Sequence, residues 1–557
     1  MQTSNKPPIG RAEVERAAGL LARYRRGKQA FDRRVIDDER WYRLRHGGPA
    51  RPGEPAPASA WLFNSLLNKH GDMMDSLPAP AVLPREPGDA QDAATLSRIL
   101  PVILERSGFE ALYDRNAYPK LRHGTACYGV FWDNQAEDGL GDIRVTAVDL
   151  LNLFWEPGVR DLQDSRNLFL VTRCDNDLLD AAYPDLRGRL RAPVRPERYQ
   201  SEDPADDTAR SEVVDWYYKK TDEQGVSRLH FCKFVGSTVL YATENDPALA
   251  QTGLYDHGQY PFVLDVLFPL EDSPAGFGYV DVMKGPQEYI DRLDGVILKN
   301  ALLAGRPRWF YRDSCGVNQQ EFADFDRDFV HVAGRLEADD LRQIEIRPLP
   351  AFIAAHRQNK VNELKETSGN RDFTQGATAS GVTAASAIAA LQEAGTKLSR
   401  DLIKGSYRAF TQICTLIIEL IRQFYDDSRA FRITGDDGQP VFVTFCGLAR
   451  SDRRAAFDIE VRAQRTNPFS QMSQNETAKE LYRLGFFRPD LAGQALAALE
   501  MMDFEGIETV RARIAAGAAG QTAAVPDGRV RPAQTAAGRP LTAAEQMIPR
   551  AGKEGTR

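Results

Sequence analysis

Residues 276–305 read GFGYVDVMKGPQEYIDRLDGVILKNALLAG, and the fold turns on how that stretch is read. Its opening, GFGYVD, begins like the glycine fingerprint of a dinucleotide site. Asp281, however, stands where the third glycine belongs, and no strand–helix–strand unit surrounds it. The remainder predicts a helix from about Val280 to Leu303, with Gly285-Pro286 near its start placed to kink it. A turn feeding a lone helix is the better reading.

C-terminal to this helix lies a small island in which PRWFYRD, FVHVAG and IEIRPLP read as strand-like pieces around one short acidic helix, QQEFADFD. Helix resumes from Phe352 to Glu366 and is mostly polar, as expected of a helix bordering water or bridging two bodies. A loop poor in large apolar side chains follows, SGNRDFTQGATASGVTAAS (368–386). After it, Ile388, Leu391, Leu398, Leu402, Ala409, Ile413, Leu416, Leu420 and Phe424 recur at three- and four-residue steps. One helix over 383–426 would be on the order of 65 Å long, a length that suits an elongated body or an assembly. The hairpin FRITGDDGQPVFVTF, the strand FDIEVRAQ and a helical segment over 470–515 complete the ordered chain. The Ala/Gly/Thr/Pro-rich tail from 517 reads as disordered.

N-terminal to the decisive stretch, 10–46 predicts a charged amphipathic helix pair, and HGGPARPGEPAPAS is a Pro/Gly linker. WLFNSLLNKHGDMMDSLPAPAV resumes helix and runs out in Pro-rich chain; a further helical stretch covers about 90–122. TACYGVFW and DIRVTAVD flank a Gly/Asp turn as a hairpin, and LFLVTR, EVVDWYYKK, RLHFCKFV and STVLYAT continue as short strands. The fold class is α+β.

The 557 residues carry a formal charge of −7, against a basic nucleic-acid binder. Six scattered cysteines without a C-x-x-C pair read as reduced thiols. The start lacks an apolar signal core, and no run approaches a membrane span. GATASG has neither the lysine nor the preceding strand of a phosphate-binding loop. The seven histidines show no metal spacing, there is no G-x-S-x-G elbow, and the acidic pairs Asp426-Asp427 and Asp436-Asp437 sit at a helix end and in a turn. No catalytic, cofactor or metal site emerges. The basic residues are more ordered: Lys284, Arg292, Lys299, Arg306 and Arg308 follow one helix, while Arg357, Lys360, Lys365 and Arg371 follow the other and its loop. Acids interleave both sets. Two ordinary mixed-charge faces fit this pattern, and so does a helix pair lining a passage for a polyanion, where mixed charge limits sticking.

Three motifs in order, FNSLLNKHGDMMDSLPAPAV, the 276–305 stretch and LKETSGNRDFTQGATASGVTAASAIAALQEAG, give the chain a likeness. It resembles the portal proteins (head–tail connectors) of tailed bacteriophages, short-tailed ones above all, over roughly residues 60–515. The resemblance implies an α+β protomer with N-terminal helices and wing (1–275), stem helix (276–303), clip (304–349) and returning stem helix (350–367). A tunnel loop (368–382), long wing helix and hairpin (383–469), crown (470–516) and tail (517–557) follow. It also implies a ring of about twelve copies at one vertex of the virion capsid, assembled in the bacterial cytoplasm. Double-stranded DNA, a terminase large subunit, capsid or scaffolding protein, and adaptor and tail proteins are the implied partners, with no membrane and no cofactor. Arg371, Asp372, Phe373, Thr374 and Gln375 would face DNA from the tunnel loop; Lys284, Arg292, Lys299, Arg357, Lys360 and Lys365 would line the stem. Arg308, Trp309, Phe325 and Arg327 would dock partners at the clip. A metal-dependent nucleic-acid enzyme and a different virion structural or ejection protein are the competing readings.

Overall fold

The computed structural model describes residues 8–46, 57–194, 209–221, 225–305, 308–369 (without 325, 327, 336, 338, 339 and 345–347) and 397–434 (without 427). It also describes 440–445, 456–464, 479–500 (without 487 and 489–491) and 510–514 (without 512). The chain divides into two compact units, Met1–Thr466 and Asn467–Arg557.

The first unit opens with α1 (Arg11–Tyr42), one continuous helix where the sequence suggests a pair. Its glycines do not break it; a side chain at Gly27 would run into the ring of Pro157, so this glycine is a packing residue. Helix α2 (Trp61–Met74) leads into strand β1 (Leu77–Pro84). The proline-rich run is therefore an extended strand, paired antiparallel with β16 (Phe457–Gln464) over all eight residues. Prolines 78, 80 and 84 share one parity with Val82, whose N–H turns away from β16 to Ser97 Oγ at 2.8 Å. Their missing N–H groups thus cost no ladder bond.

The single helical stretch expected over 90–122 is two helices, α3 (Ala90–Arg106) and α4 (Phe109–His123), parted at Gly108 with φ of +63°. The predicted hairpin is β2 (Thr125–Asp133) and β3 (Asp142–Ala147). A meander follows from β4 (Leu153–Trp155) through β5 (Asn167–Asp175), with short helix α5 (Asn176–Ala182), to β6 (Arg210–Thr221), β7 (Ser227–Val235) and β8 (Thr238–Ala242). It forms a five-stranded antiparallel sheet in sequence order. Strand β9 (Phe262–Val266) returns to pair with β2, and β10 (Phe268–Leu270) pairs with β11 (Ser273–Phe277).

Next come α6 (Tyr279–Gly305), a ribbon of β12 (Trp309–Tyr311) and β13 (Leu341–Gln343) with short helix α7 (Gln319–Ala323) between them, and α8 (Ala351–Ser368). FVHVAG is not a strand: Val332 makes one isolated bridge to Val317. The described part of the long helix is α9 (Lys397–Phe424); positions 383–396 lie outside the described residues, as does the tail from 517. Strands β14 (Arg429–Thr434) and β15 (Pro440–Phe445) pair as the predicted hairpin.

Helix α9 holds this unit together. Leu402, Ala409, Phe410, Ile413, Cys414, Leu416, Ile417, Leu420 and Ile421 are all buried in the main core with side chains of α3, α4 and β2. Burying each large one contributes on the order of 2 kcal/mol. Beneath them lies a charge pair with almost no solvent access: Lys120 of α4 and Asp265 of β9, 2.7 Å apart and 0% and 2% exposed. The ammonium donates to Leu402 O (3.0 Å) and Ser406 Oγ (2.6 Å), and that hydroxyl donates to Asp265 (2.8 Å). In the second unit, α10 (Ala492–Glu500) buries Ala492, Ala495 and Leu499 against Ile514.

Replacing Lys120 alone with Met strands a buried carboxylate and should lower stability to urea by about 3–5 kcal/mol. The double change Lys120→Met, Asp265→Leu should recover most of that loss; equal instability of both variants would deny the pair its role.

Candidate functional site

Helices α6 and α8 form an antiparallel hairpin around the β12–β13 ribbon. Ile290 of α6 and Val361 and Leu364 of α8 are buried. A two-pronged ion pair crosses the hairpin, with the Arg357 guanidinium on both carboxylate oxygens of Asp294, one at 3.0 Å. Pro286 lies inside α6 without ending it: the carbonyl robbed of its partner is that of Val282, an exposed residue in the first turns.

The beginning of α6 is fixed by close backbone approach. A side chain at Gly278 would meet Arg122 O at 2.2 Å and one at Gly276 would meet Phe268 O at 2.1 Å, while the Gly276 N–H donates to Thr125 Oγ1 at 2.8 Å. The glycines that open 276–305 therefore seat the helix against α4 and β10 and serve no nucleotide.

More than two turns into α6, Gln287 and Asp291 hold the N-terminal end of α2. The Gln287 carbonyl accepts from Leu62 N (3.1 Å), and its amide donates to Ser59 O (2.9 Å) and to Asp291 (3.0 Å). Asp291 accepts from Ser59 N and Oγ at 2.8 and 2.7 Å, and lies 2.9 Å from His46 Nε2, whose ring stacks on Trp41. Burial pushes the Asp291 pKa up, but hydrogen bonds from His46, Ser59 and Gln287 outweigh it and hold the carboxyl below its ordinary value.

Lys284 lies at this root as well. Its ammonium is 2.6 Å from Asp38, 2.8 Å from Asp37 and 3.7 Å from Asp281, and Asp281 in turn is 3.7 Å from Arg34. His123 Nδ1 is 3.7 Å from Asp38, and Glu39 pairs with Arg122 and with Arg43 (2.7 Å). Burial raises Asp38 to about 6, only partly offset by Lys284, and burial reinforced by Arg122 lowers His123 to about 3. Burial would lower Lys284, yet Asp37 and Asp38 raise it.

The other expected lining residues keep to the hairpin. Arg292 pairs with Glu288 one turn back, and Lys299 is exposed. Lys360 pairs with Glu363 at 2.6 Å and lies 5.4 Å from the Tyr289 ring; Lys365 lies 5.8 Å from the Trp61 ring. The charge pattern foresees neither the caging of Lys284 nor the crossing of Arg357 to Asp294. At the ribbon, Arg308 and Trp309 are exposed, with Trp309 edge-on to Phe322. Phe325, Arg327 and the loop residues Arg371, Asp372, Phe373, Thr374 and Gln375 lie outside the described residues. Among the described residues, no three His, Cys, Asp or Glu side chains are placed to hold a metal ion, and no helix is long and apolar enough to cross a membrane.

The described residues give a helical hairpin, α6 and α8, with a small β ribbon between its helices, set in an α+β body with α9 in its core. The family model for the phage P22-like portal protein matches residues 70–554. The chain belongs to that portal family. No curated protein matches the chain closely enough to report. The portal match begins within α2, so Arg34, Asp37 and Asp38, the α1 side chains that meet the first turns of α6, lie upstream of it.

Burial makes the Asp38 carboxyl hold its proton to higher pH in the folded protein, up to about 6 from an ordinary 3.8. A raised folded-state value means stability fully present below about 3.8 and lost as pH climbs through about 6. The two-unit shift corresponds to about 3 kcal/mol. Asp38→Asn should therefore gain on the wild type as pH rises from 4 to 7.5, with His123 cancelling in the comparison. Urea unfolding at both pH values measures it, and a difference independent of pH would refute the coupling.

Proposed function

We propose that this chain is the repeating subunit of a closed ring of about twelve copies, set at one vertex of a phage capsid, through which double-stranded DNA is packaged and later leaves. The observation that carries this reading is the family match over residues 70–554. The helical hairpin supports it. Among the exposed or half-buried side chains of α6 and α8 are Arg292, Lys299, Lys360 and Lys365, and the charges of Arg292 and Lys360 are answered by carboxylates of the same chain. Such a surface suits DNA that must slide, because every net phosphate contact adds counterion-release affinity. Lys284, held by Asp37 and Asp38, belongs in this reading to the anchoring of the stem and not to its lining.

The β12–β13 ribbon, with Arg308, Trp309, Phe325 and Arg327, is the docking end for the terminase motor and afterwards for adaptor and tail proteins. Trp309, Phe310 and Tyr311 are exposed there, with Phe310 at 64%. The role is structural: the energy for packaging comes from the separate motor. In this reading the loop residues Arg371, Asp372, Phe373, Thr374 and Gln375 would meet the DNA.

Negative-stain images and native mass spectrometry of the purified protein should show closed rings with a central hole. A chain that stays monomeric at high concentration would end the proposal. Replacing Arg371, Asp372, Phe373 and Gln375 with Gly and Ser should leave rings intact while reducing packaged or retained DNA several-fold. Loss of the rings themselves would place that loop in a subunit contact.

A further inference from the structure

Helix α1 lies upstream of the family match, and its charges are unevenly answered. Every acid of the helix has a cation. Glu13 and Glu15 pair with Arg16 and Arg11, Asp32 pairs with the buried Lys28 at 3.0 Å, Asp37 and Asp38 hold Lys284, and Glu39 holds Arg122 and Arg43. Four arginines on the solvent side, Arg23, Arg26, Arg33 and Arg40, are exposed and pair with no carboxylate among the described residues. Glu156, whose carboxyl feels Arg23, is bonded to Arg166 at 3.1 Å.

At 3.6 residues per turn these four arginines fall within an arc of about 100° and run about 26 Å along the helix. Arg26, Arg33 and Arg40 recur every seven residues and form a nearly straight row. Every exposed position from Arg16 to Arg40 is Arg, Gly, Ala or Gln, so the row has neither a carboxylate nor a large apolar side chain among its exposed neighbours. That composition discriminates between partners. A protein interface centres on apolar and aromatic anchors and is depleted in charge at its core. A nucleic-acid interface is polar and strongly positive, and the planar fork of arginine gives a phosphate two hydrogen bonds. Ala22 and Ala30, small and exposed, leave room for a phosphate backbone to approach the helix.

We infer that the outward face of α1 binds duplex nucleic acid through its phosphates, without reading base sequence. Arg26, Arg33 and Arg40 make the contacts, and Arg23 extends them. The contrast with the hairpin is chemical. There Arg292, Arg357 and Lys360 are answered by carboxylates of the same chain; on α1 the charge is left for phosphate. The inference stands apart from the ring reading, since it concerns one face of one protomer.

Fluorescence anisotropy of the full-length protein with a labelled mixed-sequence duplex, at salt between about 50 and 200 mM, tests it. The triple change Arg26→Gln, Arg33→Gln, Arg40→Gln should weaken binding about tenfold or more at the lower salt and take about 2.7 off the slope of log K against log salt. Changing the same three to Lys should keep most of the slope. Each single Gln change should remove about 0.9 of it, a readout that survives if the triple variant misfolds. Wild-type protein that does not bind the duplex would overturn the inference, and so would Gln variants with an unchanged slope. Binding lost on Lys299→Gln with Lys365→Gln, and kept in the α1 variant, would place the DNA on the hairpin and overturn it as well. Poly-glutamate bound through α1 while the duplex is not bound would mean an acidic protein partner, an equally adverse result. Negative stain should show the same rings for the triple variant and the wild type. Rings lost in the variant alone would make this face a subunit contact and overturn the inference; rings absent from both would sink the ring reading and leave this one standing.

Discussion

Lys120 and Asp265 are separated by well over a hundred residues, and Ser406 stands as far again along the chain, yet all three meet in one buried cluster. Taking two charges out of water is costly, and the cost is repaid only where geometry and further hydrogen bonds are good. Here the ammonium has a carboxylate, a hydroxyl and the Leu402 carbonyl. Sliding α9 by one residue would remove both helix partners of the buried ion pair together. The apolar row of α9 tolerates small shifts; the cluster does not. At the other end of the helix the Tyr425 hydroxyl donates to Asp142 (2.7 Å), and Arg429 donates to the carbonyls of Gly141 and Leu140. Hydrophobic burial supplies the bulk of the cohesion, and these polar ends select the register.

The same division governs the stem. Its root is polar and almost closed to water: Gln287 and Asp291 tie α6 to the chain before α2, and Lys284 ties it to α1. Further along, the Asp294–Arg357 pair and the buried Ile290, Val361 and Leu364 join the two helices. A hairpin attached this way is held firmly where it leaves the body. Asp38 makes the attachment sensitive to protons, since its burial outweighs its lysine.

Much of this was legible in the residues. Periodicity alone located α6, α8 and the described part of α9 to within a few positions, because each has a single apolar face or an unbroken polar one. The β2–β3 hairpin and the meander followed from alternation and turn residues. Prolines hid β1, since the parity that makes them harmless depends on which edge meets β16. Gly108 hid the break between α3 and α4, while Gly27 shows that a glycine need not break a helix at all. The root network was out of reach for a different reason. Lys284 looked like one more cation on a mixed face, and only the fold brings Asp37 and Asp38 to it.

That failure bears on how the hairpin treats DNA. Counting lysines and arginines along α6 and α8 overstates the grip of such a surface on a polyanion, because the relevant quantity is charge left unanswered within the protein. Arg357 is engaged by Asp294, Lys284 by Asp37 and Asp38, Arg292 by Glu288 and Lys360 by Glu363. Each pairing removes affinity that would otherwise become drag on a moving duplex, yet leaves polar groups to meet water and phosphate. On the proposed reading, the carboxylates interleaved through 276–305 and 351–368 are as much a part of the channel's chemistry as the bases are. On that reading they would let an acidic protein serve as a conduit for DNA, since a conduit has to pass the polymer along and binding it tightly would defeat that.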